Sequence, residues 1–206
     1  MYAVPTFLFP PVSYCIFLQQ THPHKDEFSF YHKQSPRNHF EILNANGRQK
    51  ITFGVQSNQG IKTPLNEVFL DGGDWARTAF RSLQSAYGKS AFFFFYQDEL
   101  KQLLDSFPNQ RLVEVHGQIH DWLMKYQIVP QWPLNDAVEQ IIPIEKKWEI
   151  ESPIVPYHQV FQDRFSFEND LSILDLMFNL GPEAKTYLRQ HPAVRPVLVD
   201  RRNSSA

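Results

Sequence analysis

Asn46-Gly47 sits between two alternating runs, residues 39–43 and 49–55, and constrains the fold more than any other feature of the chain. Asn and Gly tolerate the left-handed backbone that a tight reversal needs, so the stretch Asn44-Ala45-Asn46-Gly47 predicts an antiparallel hairpin. A second local pattern stands upstream. Residues 2–9 are apolar and rich in aromatic and β-branched side chains, which reads as a buried strand. Pro10-Pro11 ends that run, and Pro suits the first turn of a helix over residues 13–20. Residues 27–31 read as a second strand. Strand, short helix and strand predict a parallel βαβ opening.

From residue 66 the chain turns from strand to helix. Residues 66–70 suggest one more short strand, Asp71-Gly72-Gly73 a turn, and Asp74 a helix N-cap. Trp75, Ala79, Leu83, Ala86 and Tyr87 then recur on one helical face, which Gly88 closes. Helices are predicted over 92–107, 110–126 and 133–142, and extended pieces over 147–150 and 160–164. Ser172 and Asp175 have capping-box-like spacing before the apolar face of Leu171, Leu174, Met177 and Phe178. Gly181-Pro182 stops that helix, and 182–190 reads as a last one. The expectation is one α/β (or α+β) domain over 1–200. Its small mixed sheet comes from the N-terminal half, with helices packed around it, and a polar tail over 201–206 is disordered.

Composition excludes several classes. Thirty of 206 residues are aromatic, 18 of them Phe, so most of that mass must be buried or line something apolar. With 20 basic and 22 acidic residues, no nucleic-acid partner is expected, because such affinity rests on phosphate neutralisation. One cysteine, Cys15, rules out a disulfide within the chain and a multi-cysteine zinc site; it reads as a small buried hydrophobe. No apolar run reaches the ~18 residues that span a bilayer. Residues 1–18 are apolar enough to mimic a secretion signal. They lack a basic start and are broken by Pro5, Pro10 and Pro11, so they read as the first strand of a cytoplasmic protein.

The punctuation resembles the WbqC-like protein family. The matching blocks are Phe9-Pro10-Pro11-Val12-Ser13-Tyr14, Lys33-Gln34-Ser35-Pro36-Arg37-Asn38 and Ala45-Asn46-Gly47. They continue with Arg81-Ser82-Leu83-Gln84-Ser85-Ala86-Tyr87 leading to Phe92-Phe93, then Tyr157-His158-Gln159-Val160-Phe161 and Leu171-Ser172-Ile173-Leu174-Asp175-Leu176. Together they cover residues 7–188 in family order. The resemblance implies a bacterial protein of surface-glycan (O-antigen type) biosynthesis, transferring an acyl or aminoacyl group to an amino sugar. The alternative is a non-catalytic binding or assembly protein that keeps the family pocket. Three departures favour this alternative: His39 where the family usually has Arg, Ala79 where members often have His, and Ser29 at a commonly acidic position.

The candidate site residues follow from chemistry and resemblance together. Arg37 offers a planar fork for a carboxylate or phosphate, and Asn38 can donate and accept; the plain alternative is a local ion pair and a turn cap. Arg77, Arg81 and Ser85 share one helix face, where an anion would relieve the repulsion between the two guanidiniums; otherwise Glu67, Asp71 or Asp74 pairs with them on a solvated face. His158 is the candidate base, since attack on an acyl group needs a free amine, and Tyr157 and Gln159 would orient substrate. In a strand Tyr157 and Gln159 point together and His158 points away, so a packed or surface role for His158 is equally open. A Ser172–His158–Asp175 triad is rejected, because capping explains the spacing and no nucleophile-elbow glycines surround Ser172. His116 and His120, four apart on a helix, read as exposed rather than metal-binding, and His22 and His24 as loop residues. Phe92 to Phe95 and Tyr96 point all round a helix, so most belong to the core. The substrate is expected to be a nucleotide sugar or acyl donor, with no cofactor and no metal.

Overall fold

The computed structural model describes residues 2–26, 29–33, 35–56, 63–133, 140–141 and 148–197. Strand β1 (Tyr2–Pro5) leads through helix α1 (Val12–Thr21) to β2 (His24–Asp26), which pairs with β1 in parallel, Ala3 opposite His24. The predicted βαβ opening is present with its second strand three residues early; Glu27 and Phe28 lie outside the described residues. The left-handed His22 ends α1, its N–H reaching the carbonyl of Leu18 at 3.1 Å, so the chain reverses at once and His24 already pairs. Helix α1 is apolar all round and buried from Val12 to Leu18, as a helix in the centre of a domain must be. It packs against α5 (Ile173–Leu180) and α6 (Ala184–Gln190).

The hairpin pairs β3 (His39–Asn44) with β4 (Gly47–Thr52), with Asn44 opposite Gly47. Only Gly47 takes a positive φ, +103°, so the left-handed step falls on the glycine alone. β5 (Val55–Gln56) pairs antiparallel with β6 (Phe69–Leu70). A third parallel strand, β7 (Gln140–Ile141), joins the other side of β1. The α/β class holds, but parallel and antiparallel pairings occupy separate small sheets rather than one mixed sheet. The hairpin packs its buried Phe40 and Ile42 face against α2 (Trp75–Tyr87) and α5 instead of extending the parallel edge.

Helices α2, α3 (Phe93–Ser106) and α4 (Leu112–Lys125) match their predicted spans within two residues at each end. Within α3 the expectation that most of the aromatic run is core fails: Phe93 and Tyr96 are buried, whereas Phe94 and Phe95 are 69% and 66% exposed, because only one face of the helix meets the core. Asp74 stands at the N-cap of α2, as predicted, but its side chain makes no cap bond and pairs with Arg77 instead. Two local expectations fail. Gln140–Ile141 is strand, not the end of a helix over 133–142, because it completes the parallel sheet; 134–139 lie outside the described residues. Residues 160–164 form a tight turn around the left-handed Phe161, not an extended piece. Residues 201–206 also lie outside the described residues.

Candidate functional site

A cleft of about 570 Å³ opens where the Phe9-Pro10-Pro11 corner, strand β3 and residues 148–150 and 169–172 meet. Backbone bonds stitch its floor: Val12 N–H to the Leu171 carbonyl at 3.0 Å, Ile173 N–H to Pro10 at 2.7 Å, Ser172 N–H to Glu41 at 2.9 Å. Ser172 caps α5, accepting from Leu174 N–H, and its hydroxyl donates to the Phe9 carbonyl at 3.0 Å. Phe9 (φ +31°) and Asp170 (φ +58°) both hold left-handed backbone in the wall. A bulky residue kept in that region costs about 1–3 kcal/mol and persists only where its surroundings over-determine it, a pattern concentrated at functional sites.

Asp170 is fixed from two directions. Its carboxylate accepts from Ser13 N–H at 2.8 Å and Ser13 Oγ at 2.7 Å, and so caps the start of α1 across 157 residues of sequence. Trp148 Nε1 donates to the same Ser13 hydroxyl at 2.6 Å. On the opposite wall Arg48 bridges Glu41 at 2.6 Å, Glu168 at 3.2 Å and the Asn169 carbonyl at 2.6 Å. Burial, with help from Lys50, pushes His39 down to about 4, so its imidazole is neutral at pH 7. Among the described residues the charged lining is Glu41, Glu149, Asp170 and Arg48, with Glu41 paired to Arg48.

Behind the 168–172 wall lies a buried hub. Asp175, fully buried, accepts from Tyr87 OH at 2.8 Å, Tyr157 OH at 2.7 Å and Gln159 Nε2 at 2.9 Å. Gln159 also brackets Glu168, donating to its carbonyl at 3.0 Å and accepting from its N–H at 2.9 Å. Tyr157 and Gln159 thus point together into the interior, and His158 is exposed. Asp175 does not close a capping box: its carboxylate is taken by the three long-range donors, and no described bond joins it to the Ser172 N–H.

A second polar cluster forms at the C-terminal ends of β1 and β2. Arg37, 4% exposed, donates from Nη2 to Ser29 Oγ at 2.7 Å, with Asp26 Oδ2 3.7 Å away. Asn38 secures the turn before the hairpin by donating to the Phe53 carbonyl at 2.8 Å. His116 is buried rather than exposed: its Nε2 meets the Arg37 carbonyl at 2.7 Å and its Nδ1 meets Thr6 Oγ1 at 2.8 Å. A carbonyl only accepts, so Nε2 carries the proton and Nδ1 accepts from the Thr6 hydroxyl. His120 is buried as well, bonded to the Pro130 carbonyl at 2.9 Å and stacked on Trp132.

Of the residues singled out in the sequence, Tyr157 and Gln159 meet at Asp175, Arg37 and Asn38 lie in the interior, and Arg81, Ser85 and His158 are exposed. None of these seven lines the cleft; His39 and Ser172 do. Trp148 and Asp170 went unnoticed because Ser13 is remote from them in sequence, and Arg48 because Glu168 and Asn169 are remote from it. His116 and His120 had a legible signal: they share the buried face of Leu112, Val115, Ile119 and Leu123. Among the described residues no group of three or more His, Cys, Asp or Glu could hold a metal ion, and no helix is long and apolar enough to cross a membrane.

Comparison with known proteins gives two positive findings. The sequence pattern of the WbqC-like protein family matches residues 8–140, which include the Phe9-Pro10-Pro11 corner, the hairpin and α2 to α4. The uncharacterized protein Rv1507c of Mycobacterium tuberculosis is 24% identical over 206 residues, covering 80% of this chain and 88% of that protein. No solved structure matches the chain.

Proposed function

Because the chain belongs to the WbqC-like protein family, we propose that it acts in surface-glycan biosynthesis by transferring an acyl or aminoacyl group to an amino sugar held in the cleft. The observation that carries this reading is Glu41 in the cleft wall, an accessible carboxylate beside Arg48. An accessible carboxylate attracts an ammonium. The sugar ring would lie along the partly exposed Pro11 and Ile150, with its amino group toward Glu41. In the reaction the amine nitrogen forms a bond to the acyl carbon, the bond from that carbon to the donor's leaving group breaks, and the nitrogen loses a proton. Glu41, whose side chain remains 39% exposed, takes that proton in this reading, in place of His158. We place the reaction in the cytoplasm, where activated sugars and acyl donors are made.

The test is a thermal-shift titration with nucleotide-linked amino sugars and their N-acetylated counterparts. The free amine should raise Tm saturably, the N-acetyl compound should not, and Glu41→Gln should weaken the response about tenfold, as expected for losing one charge-assisted contact. Equal responses to both sugars, or none, would sink the amino-sugar reading. The exposed position of His158, away from the cleft, favours a second reading, a non-catalytic binding protein. Saturable binding without product by mass spectrometry, when an acyl donor is added, would select it.

A further inference from the structure

Arg37 is a buried guanidinium with too few acceptors. Of its five N–H donors, Nη2 reaches the Ser29 hydroxyl, and Asp26 stands 3.7 Å off, beyond hydrogen-bond length. Nη1 is buried and has no hydrogen-bond partner. Native interiors pair almost all such groups, so an orphaned donor on a charged side chain asks for an acceptor. Its place in the fold adds a second, independent argument. Asp26 ends β2 and Thr6 follows β1, so the guanidinium lies off the carboxyl ends of two parallel strands, where open α/β sheets bind ligands. The residue is also held still, because His116 fixes its carbonyl at 2.7 Å and the Pro36–Asn38 turn fixes its backbone. Ser29 is only half-buried and connects the fork to the surface.

We propose that Arg37 is the receptor for an anionic oxygen group, a carboxylate or a phosphate, at the ends of β1 and β2, distinct from the cleft that holds Glu41. The ligand's oxygens accept from Nη1 and, once the Ser29 hydroxyl swings aside, from Nη2, which makes the bidentate pairing that a guanidinium favours. The Pro36–Asn38 turn separates the two places: Pro36 lines the cleft and Arg37 faces the strand ends. The proposal does not depend on the acyl-transfer reading.

Ser29→Asp tests it without removing the arginine, by supplying an internal carboxylate where the ligand would bind. Thermal shifts are measured at constant ionic strength with inorganic phosphate, acetate and chloride. The wild type should show a saturable rise with phosphate or acetate and none with chloride; the anion that acts identifies the ligand class. Ser29→Asp should melt higher than wild type without added anion and bind the anion at least about tenfold more weakly. Arg37→Gln should lose the response, and if it fails to fold, Ser29→Asp decides alone. No anion-specific shift in the wild type, or an undiminished one in Ser29→Asp, overturns the proposal.

Discussion

Asp175 accepts from residues 16, 18 and 88 positions away in sequence, so one side chain ties together three distant segments. Tyr87 extends the tie, because its hydroxyl also accepts from the Leu43 N–H of the hairpin at 3.2 Å. Burial raises the pKa of Asp175 above the usual carboxylate range, and its three donors pull it part of the way back. Asp175→Ala would strand two tyrosine hydroxyls and a glutamine amide in the interior. It should cost about 3–5 kcal/mol in denaturant unfolding. Asp175→Asn keeps the shape and one acceptor oxygen and should cost distinctly less; an equal loss from both variants would mean that the full carboxylate, not the packing or a single acceptor, carries the effect. The sequence offered Asp175 as the capping-box partner of Ser172; it stands in the first turn of α5, but its carboxylate turns to other donors. Its role came from Tyr87, Tyr157 and Gln159, whose approach no local spacing encodes.

At the scale of elements, helix ends are fixed by partners from elsewhere in the chain. Helix α1 begins under Asp170, and α5 ends at Gly181, whose φ is +54°. A Cβ on Gly181 would strike the ring of Phe92, and the left-handed backbone disfavours any side chain there. Gly181→Ala should therefore lose at least about 2 kcal/mol in an equilibrium melt, more than the ~1 kcal/mol that backbone preference alone explains. A neutral result would mean that the Phe92 ring moves aside freely. Helix α2 was readable because one apolar stripe and Gly88 define it locally. Strand β2 was misplaced by three residues because His24, Lys25 and Asp26 carry no apolar signal and their parallel register depends on β1. β7 was missed altogether, since a two-residue strand carries no periodicity.

Across the molecule, among the described residues, burial holds His116 and His120, like His39 in the cleft, in the neutral form. Burial drives His116 down to about 3 and His120 down to about 4, both below the usual value near 6.5. Both folded values are depressed, so the stabilisation is complete above pH ~6.5 and is lost as pH falls toward the folded values, while the unfolded chain gains protons that the folded one refuses. Unfolding free energy should be flat above pH ~7 and fall below pH 6 by up to about 1.4 kcal/mol per pH unit for each histidine. Urea melts across pH 7 to 4 would measure the slope, and His116→Gln should lower it by about one proton. An unchanged slope in that variant would place the acid sensitivity elsewhere.

By itself the sequence determined the parts whose physics is local: the hairpin at Asn44 to Gly47, the βαβ opening, the stripes of α2 to α4, and the family punctuation. Turn chemistry and apolar period act over a few residues, and their energy does not wait for the rest of the chain. Only the tertiary structure decided which polar groups meet. It set Asp170 against Ser13, Arg37 beside Asp26 and Ser29, and Asp175 among its three donors, because burial makes an unpaired polar group costly and the partners that satisfy it come from wherever the packed chain brings them.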